Sequence, residues 1–271
     1  MNLDVEYDNR ARVPQFAQIL QKWQLDAEKY RAETDGQLDM AYGDHQRQKT
    51  DIFGYSKDDK KPLVVFIHGG YWQMLGRETF SHMSKGLNQL GFGVLVPSYQ
   101  LCPAASVDDI IADMRLLCAW AWRTYERKLV VTGHSAGGHL AAAMVATNWQ
   151  DYDLPQDMIV AGMGVSGLYD LRPLIATRLN DALKLNDKSA RKASPLLWPT
   201  PVDKKFEAWV GGDESPEFIR QSDTIAACWT GAGAPTSSIK VPNKNHFTVI
   251  SELTDAASDM TKTIANLTEQ Q

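Results

Sequence analysis

The sequence predicts a single α/β domain, with a mostly parallel central sheet, helices on both faces and a small partial cap. Three observations carry this: short apolar runs, helical stretches alternating with them from residue 62 onward, and glycine plus a polar residue closing three of those runs. A strand apolar on both faces must be covered on both faces, which is the parallel arrangement with crossover helices. In such sheets functional groups gather beyond the carboxyl ends of the strands. A chain of 271 residues buries a substantial core as one domain, 1–271.

Taken in order, residues 14–31 place Phe16, Ile19, Leu20, Trp23, Ala27 and Tyr30 at helical spacing, an amphipathic helix packed on the body and a cap element. "PLVVFIHG" (62–69) reads as a strand, 78–90 as a helix and "FGVLVPSY" (92–99) as a strand. The helix over 106–126 has an apolar face of Val107, Ile110, Ile111, Met114, Leu117, Cys118 and Ala121, with Ser106 and Asp109 as a capping box. "KLVVTGHS" (128–135) is a strand leading into a small-residue helix through "GGHLAAAMVAT", followed by the strand "MIVAGMGVSG" (158–167). Residues 168–205 are too many for a plain connection and are expected to complete the cap. "FEAWVGGDE" (206–214), a short helix, "SSIKVP" (237–242) and a helix near 247–267 finish the chain.

Composition narrows the function. Twenty-eight Lys and Arg against 33 Asp and Glu leave a net charge of -5, and no basic stripe suits nucleic acid. The acidic N-terminus does not read as a signal peptide and no apolar run approaches a membrane span, so a cytoplasmic protein that meets no membrane is expected. Cys102, Cys118 and Cys228 stand far apart and read as packed residues in a reducing compartment. No His, Cys or Asp cluster has ligand spacing, so no metal and no organic cofactor is expected. Oligomeric state stays open, a homodimer included.

The chemistry is read from strand ends. "GHSAG", Gly133 to Gly137, lies between a strand and a helix, the context of a nucleophile elbow. Glycines flanking so tight a turn let strand and helix approach, and the serine Oγ projects above the sheet. A serine needs a base. Of six histidines, His134 and His139 flank Ser135 and cannot easily face its Oγ, and His45 and His82 read as surface residues. His246, between the last strand and the last helix, stands where the base belongs in the order serine, acid, histidine. The acid should end an intervening strand: Asp213 is the choice, with Glu214, Asp203 and Asp223 as weaker candidates. Main-chain N–H groups of Ala136, Gly69 and Gly70 would hold the oxyanion. His68, Tyr71 and Trp72 stand beside that loop as candidate substrate-binding residues, the two rings walling the acyl side.

With "HGGYW" and "GHSAG" placed, the chain resembles the α/β-hydrolase superfamily, its hormone-sensitive-lipase-like branch, and most nearly the kynurenine formamidase group. "EYDNRARVP", "SYQLCP", "GVSGLYDLRPL", "WVGGDESPEF" and "NHF" extend the resemblance over almost the whole chain. It implies a serine hydrolase with Ser135, Asp213 and His246 as triad, taking a formyl or acetyl group from an aryl amide or ester, N-formylkynurenine above all. A short-chain carboxylesterase is the alternative, and a non-catalytic binding protein of the same fold is a third reading that an intact triad disfavours.

Overall fold

The apolar runs pair into one eight-stranded sheet in a computed structural model that describes residues 2–269. Its strands are β1 (Gly36–Ala41), β2 (Lys49–Phe53), β3 (Leu63–Ile67), β4 (Val94–Pro97), β5 (Leu129–His134), β6 (Ile159–Val165), β7 (Lys205–Gly211) and β8 (Thr236–Val241). Their order across the sheet is β1-β2-β4-β3-β5-β6-β7-β8. β2 runs antiparallel to both its neighbours, and the strands from β4 to β8 are parallel.

The helices are α1 (Leu3–Tyr7), α2 (Asn9–Arg12), α3 (Phe16–Glu33), α4 (Lys85–Gln89), α5 (Val107–Tyr125), α6 (Ala136–Ala146), α7 (Asn180–Leu183), α8 (Asp187–Lys192), α9 (Pro216–Gly231) and α10 (Asp259–Leu267). Period-two alternation divides the strands between two cores. Along β3, Leu63, Val65 and Ile67 enter a core with α5, α6 and α9, whereas Val64 and Phe66 enter a second with α3, α4 and α10. The Ser106–Asp109 capping box forms at the start of α5, each side chain accepting the other residue's backbone N–H.

β1 and β2 escape a search for apolar runs because their sequences, "GQLDMA" and "KTDIF", are polar. The buried Asp51 is tolerated in β2 because it accepts from the Asp39 N–H at 2.8 Å, from Arg77 Nε at 3.1 Å and from Arg31. Removing one partner of such a buried ionic group costs about 3–5 kcal/mol.

Two expected helices are broken. The 78–90 stretch becomes 3-10 turns at Arg77–Thr79 and Ser81–Ser84 followed by α4, and 247–267 becomes a 3-10 turn at Val249–Thr254 followed by α10. The two interrupted segments pack on each other so closely that a Cβ at Gly86 would lie 2.5 Å from the Leu253 carbonyl oxygen. His82, expected at the surface, is buried here, and Cys228, expected to be packed, is exposed. No helix among the described residues is long and apolar enough to cross a membrane.

Candidate active site

The turn from β5 to α6 is as tight as its glycines allow. A Cβ at Gly137 would stand 1.9 Å from the Ile67 carbonyl oxygen, and one at Gly133 would stand 2.3 Å from the Gly137 oxygen. Only glycine permits that approach. Ser135, at the tip, has φ 57° and ψ -118°, a strained conformation held by its N–H donating to Val165 O at 2.8 Å and its C=O accepting from His139 N–H at 3.1 Å. Strain of this kind persists only where the surroundings over-determine it. Ala136 is the first residue of α6, so its N–H has no intrahelical acceptor and points from the positive end of the helix.

The exit of β3 meets this elbow directly: a Cβ at Gly69 would lie 2.8 Å from His134 O and 3.0 Å from Ser135 Cβ. Gly70, Tyr71 and Trp72 then follow with φ of 110°, 51° and 57°. Three successive left-handed residues turn the chain sharply, and the two rings leave on different sides. Tyr71 faces a cavity of about 430 Å³ that Gly69, Gly70, Ser135 and His246 also line. Its hydroxyl donates to Tyr7 O at 2.6 Å and accepts from Asn9 Nδ2 at 3.3 Å, which ties the α1–α2 segment over the cavity.

Trp72 does not wall this cavity. It is wholly buried on the core side, edge-on to His139 with ring centroids 5.0 Å apart, and its C=O accepts from Cys102 N–H at 2.7 Å. His68 is likewise in the core, stacked between Tyr99 at 4.2 Å and Phe80 at 5.8 Å, its Nδ1–H donating to Gly69 O at 2.7 Å. Burial pushes its pKa down to about 3, so it is neutral. Both expectations fail because His68 leaves the end of β3 toward the core, and the left-handed turn at Gly70–Trp72 sends only Tyr71 to the cavity.

The carboxylate that meets His246 is not the expected Asp213. Asp213 lies exposed on the turn after β7, where its N–H donates to Lys244 O at 3.0 Å. Glu214 turns back beneath that bend: its Oε1 accepts from Ser166 Oγ at 2.5 Å and Gly211 N–H at 2.7 Å, and its Oε2 accepts from His246 Nδ1 at 2.7 Å. The extra methylene lets the longer side chain reach the imidazole from the inner position of the turn. Asp203 is exposed, and Asp223 on α9 is held by Ser238 at 2.7 Å and Lys240 at 2.9 Å.

His246 follows β8 in a loop fixed by Asn245, whose Oδ1 accepts from the N–H groups of Phe247 and Thr248 at 3.0 Å each. His134 holds the same loop from below. Its Nε2 donates to His246 O at 2.7 Å, and its ring packs on the His246 ring at 4.7 Å. Burial, and secondarily the adjacent imidazole, hold His134 well below the ordinary histidine range, so it stays uncharged beside His246.

The structure thus brings Ser135, His246, Gly69, Gly70 and Tyr71 to one cavity with Ala136 beneath, and leaves Asp213, Trp72 and His68 outside it. Ser166, His134 and the N-terminal residues Tyr7, Asn9 and Arg10 complete the surroundings. Ser166 closes β6 in "GVSG", the same glycine-plus-polar signature that marks the other strand ends. Among the described residues no cluster of His, Cys, Asp and Glu could hold a metal ion. A hydroxyl at a strained elbow, an imidazole with its Nδ1 proton on a carboxylate, and free N–H donors nearby can together perform acyl transfer.

The BD-FAE family profile matches residues 50–195 of the chain. A kynurenine formamidase of Danio rerio is 31% identical over 89% of this chain and 84% of its own length. One from Salmo salar is 31% identical over 85% of this chain and 81% of its own. A solved structure from Silicibacter sp., provisionally described as a thioesterase, superposes with a TM-score of 0.88 at 32% identity, covering 98% of this chain and 99% of that one. The chain therefore belongs to the BD-FAE family of α/β-hydrolases, in the company of the kynurenine formamidases that match it along most of their length.

Proposed function

We propose that this hydrolase is a serine enzyme that removes a formyl or acetyl group from an aryl amide or ester, with N-formylkynurenine as its substrate. The observation that carries the reading is the hydrogen-bonded His246–Glu214 pair lining, through His246, the same cavity as the strained Ser135. Ser135 Oγ attacks the formyl carbon while His246 takes the hydroxyl proton. The oxyanion rests on the N–H groups of Ala136 and of the Gly69–Gly70 loop. On collapse the C–N bond breaks, His246 returns the proton to the leaving aryl nitrogen, and a formyl ester remains on Ser135. His246 then deprotonates water, which releases formate and restores the serine. Tyr71 beside the oxyanion loop narrows the acyl side, and the apolar wall of Phe16, Trp23 and Phe80 receives the ring.

The provisional thioesterase likeness of the Silicibacter structure favours a second reading, a short-chain ester or thioester substrate. Initial rates on formyl, acetyl and longer acyl anilides, aryl esters and acyl thioesters separate the two, with Ser135→Ala as blank. Deformylation of N-formylkynurenine with rates falling beyond acetyl is the expected result. Rapid ester cleavage with no deformylation would exclude the first reading.

A further inference from the structure

The cavity that Ser135 lines also carries four charged side chains, Asp4, Asp8, Arg10 and Arg178. Asp4 and Arg178 satisfy each other: one Asp4 oxygen accepts the Arg178 N–H at 2.7 Å, and the other lies 3.6 Å from the guanidinium Nε. The remaining two are unmatched. Arg10 has no carboxylate partner among the described residues; its Nη2 lies 2.5 Å from Met74 Sδ and its guanidinium 5.0 Å above the Phe16 ring. Asp8 uses Oδ1 to cap α2, accepting Ala11 N–H at 3.0 Å, and leaves Oδ2 without a partner among the described residues.

Both side chains are solvent-exposed and line the same cavity as Ser135 and Tyr71. Met74, which Arg10 touches, packs against Gly70: a Cβ there would meet Met74 Cγ at 3.0 Å. Arg10 is therefore one side chain away from the oxyanion loop. Both charges act on the Tyr71 hydroxyl, whose pKa burial raises: Asp8 adds to the rise and Arg10 opposes it. A neutral anilide or aryl ester offers these groups nothing. A ligand with adjacent anion and cation satisfies both, and a guanidinium fork matches a carboxylate bidentately.

We propose that the cavity mouth recognises the zwitterionic head of an α-amino acid substrate, Arg10 taking the carboxylate and Asp8 the ammonium. This rests on the deformylase reading and specifies its substrate class. The test is a specificity ratio, kcat/KM for N-formylkynurenine over kcat/KM for its analogue lacking the carboxylate, with formanilide as a third substrate. The wild-type chain is expected to prefer the carboxylate-bearing substrate, and Arg10→Gln to reduce that preference on the order of 10- to 100-fold, the usual consequence of losing a charge-assisted hydrogen bond. Arg10→Lys, charged but without the fork, should fall between them. Asp8→Asn keeps the capping oxygen and removes the charge, and should lower the preference for a free over an acetylated α-amine. An unchanged ratio in Arg10→Gln, or a wild-type chain indifferent to the carboxylate while cleaving formanilide, overturns this inference alone. No turnover of any formyl substrate overturns it together with the deformylase reading.

Discussion

Replacing Glu214 by Gln keeps the side chain's shape and changes what its oxygens can accept. Oε1 receives two hydrogen bonds, from Ser166 Oγ and Gly211 N–H, and Oε2 receives the His246 Nδ1 proton. An amide nitrogen on the first side sets a donor against the Gly211 N–H. On the second side it forces the imidazole proton onto Nε2, the atom that accepts the Ser135 proton in the proposed mechanism. A lost hydrogen bond to a charged group costs about 1.5–3 kcal/mol, and a buried donor left unpaired about 1–3 more. The imidazolium formed during catalysis loses its counter-charge as well, and acid-to-amide changes in such triads cost ~10⁴ in kcat, about 5 kcal/mol. Asp213→Asn, on an exposed side chain, should stay within about twofold. Initial rates on formanilide and an aryl acetate measure both, with thermal melts followed by circular dichroism as the check on folding. A Glu214→Gln chain keeping more than about a tenth of wild-type activity, or an Asp213→Asn chain falling ~10⁴-fold, would refute the assignment.

The elbow should resist a single methyl: Gly137→Ala puts a Cβ 1.9 Å from Ile67 O, backbone that cannot move aside, and should cost about 3 kcal/mol or more and lower Tm by roughly 10 °C. A melt within a degree or two of wild type would contradict the packing described. Acid should destabilise the chain earlier than carboxylate titration alone would. His68 is pushed down by burial to about 3, His82 and His139 to about 4, and His134 well below the ordinary range. Unfolded, all four bind protons below about pH 6.5; folded, they do not, so their contribution is fully present above that pH and is lost as pH falls toward the folded values. From pH 7 to pH 5 the loss is about 2 kcal/mol each, roughly 8 in all, comparable to the whole stability of a typical domain. Urea midpoints at the two pH values measure it, and equal midpoints would refute it.

Strand ends were the legible part of the sequence. Glycine followed by a polar residue marks where a parallel strand stops, which is how Ser135, Gly69 and Gly70 are found without a structure, and the chain order serine, acid, histidine is how His246 is. The direction in which a side chain leaves a turn is not legible at that level. Asp213 and Glu214 are adjacent carboxylates, and only the bend that links Gly212 to Val241 and Asp213 to Lys244 decides that the second one faces the imidazole. Tyr71 and Trp72 are separated by the same logic, one to the cavity and one to the core. The polar strands β1 and β2 stayed hidden because their buried charge is satisfied by Arg31 and Arg77, partners distant in the chain. The N-terminal residues that line the cavity were hidden for a related reason: α1 and α2 are held there by tertiary contacts such as Tyr71 to Tyr7 and Tyr7 to Glu217, not by any local pattern.

In the proposed mechanism Ser135 is the nucleophile, armed by His246 and Glu214. Labelling with an aryl fluorophosphonate, read by intact mass and then by peptide mapping, tests it most directly. One adduct per chain is expected, on Ser135, formed rapidly by the wild type, far more slowly by Glu214→Gln and not at all by Ser135→Ala. Equal labelling of Ser135→Ala, or an adduct on any other residue, would contradict it.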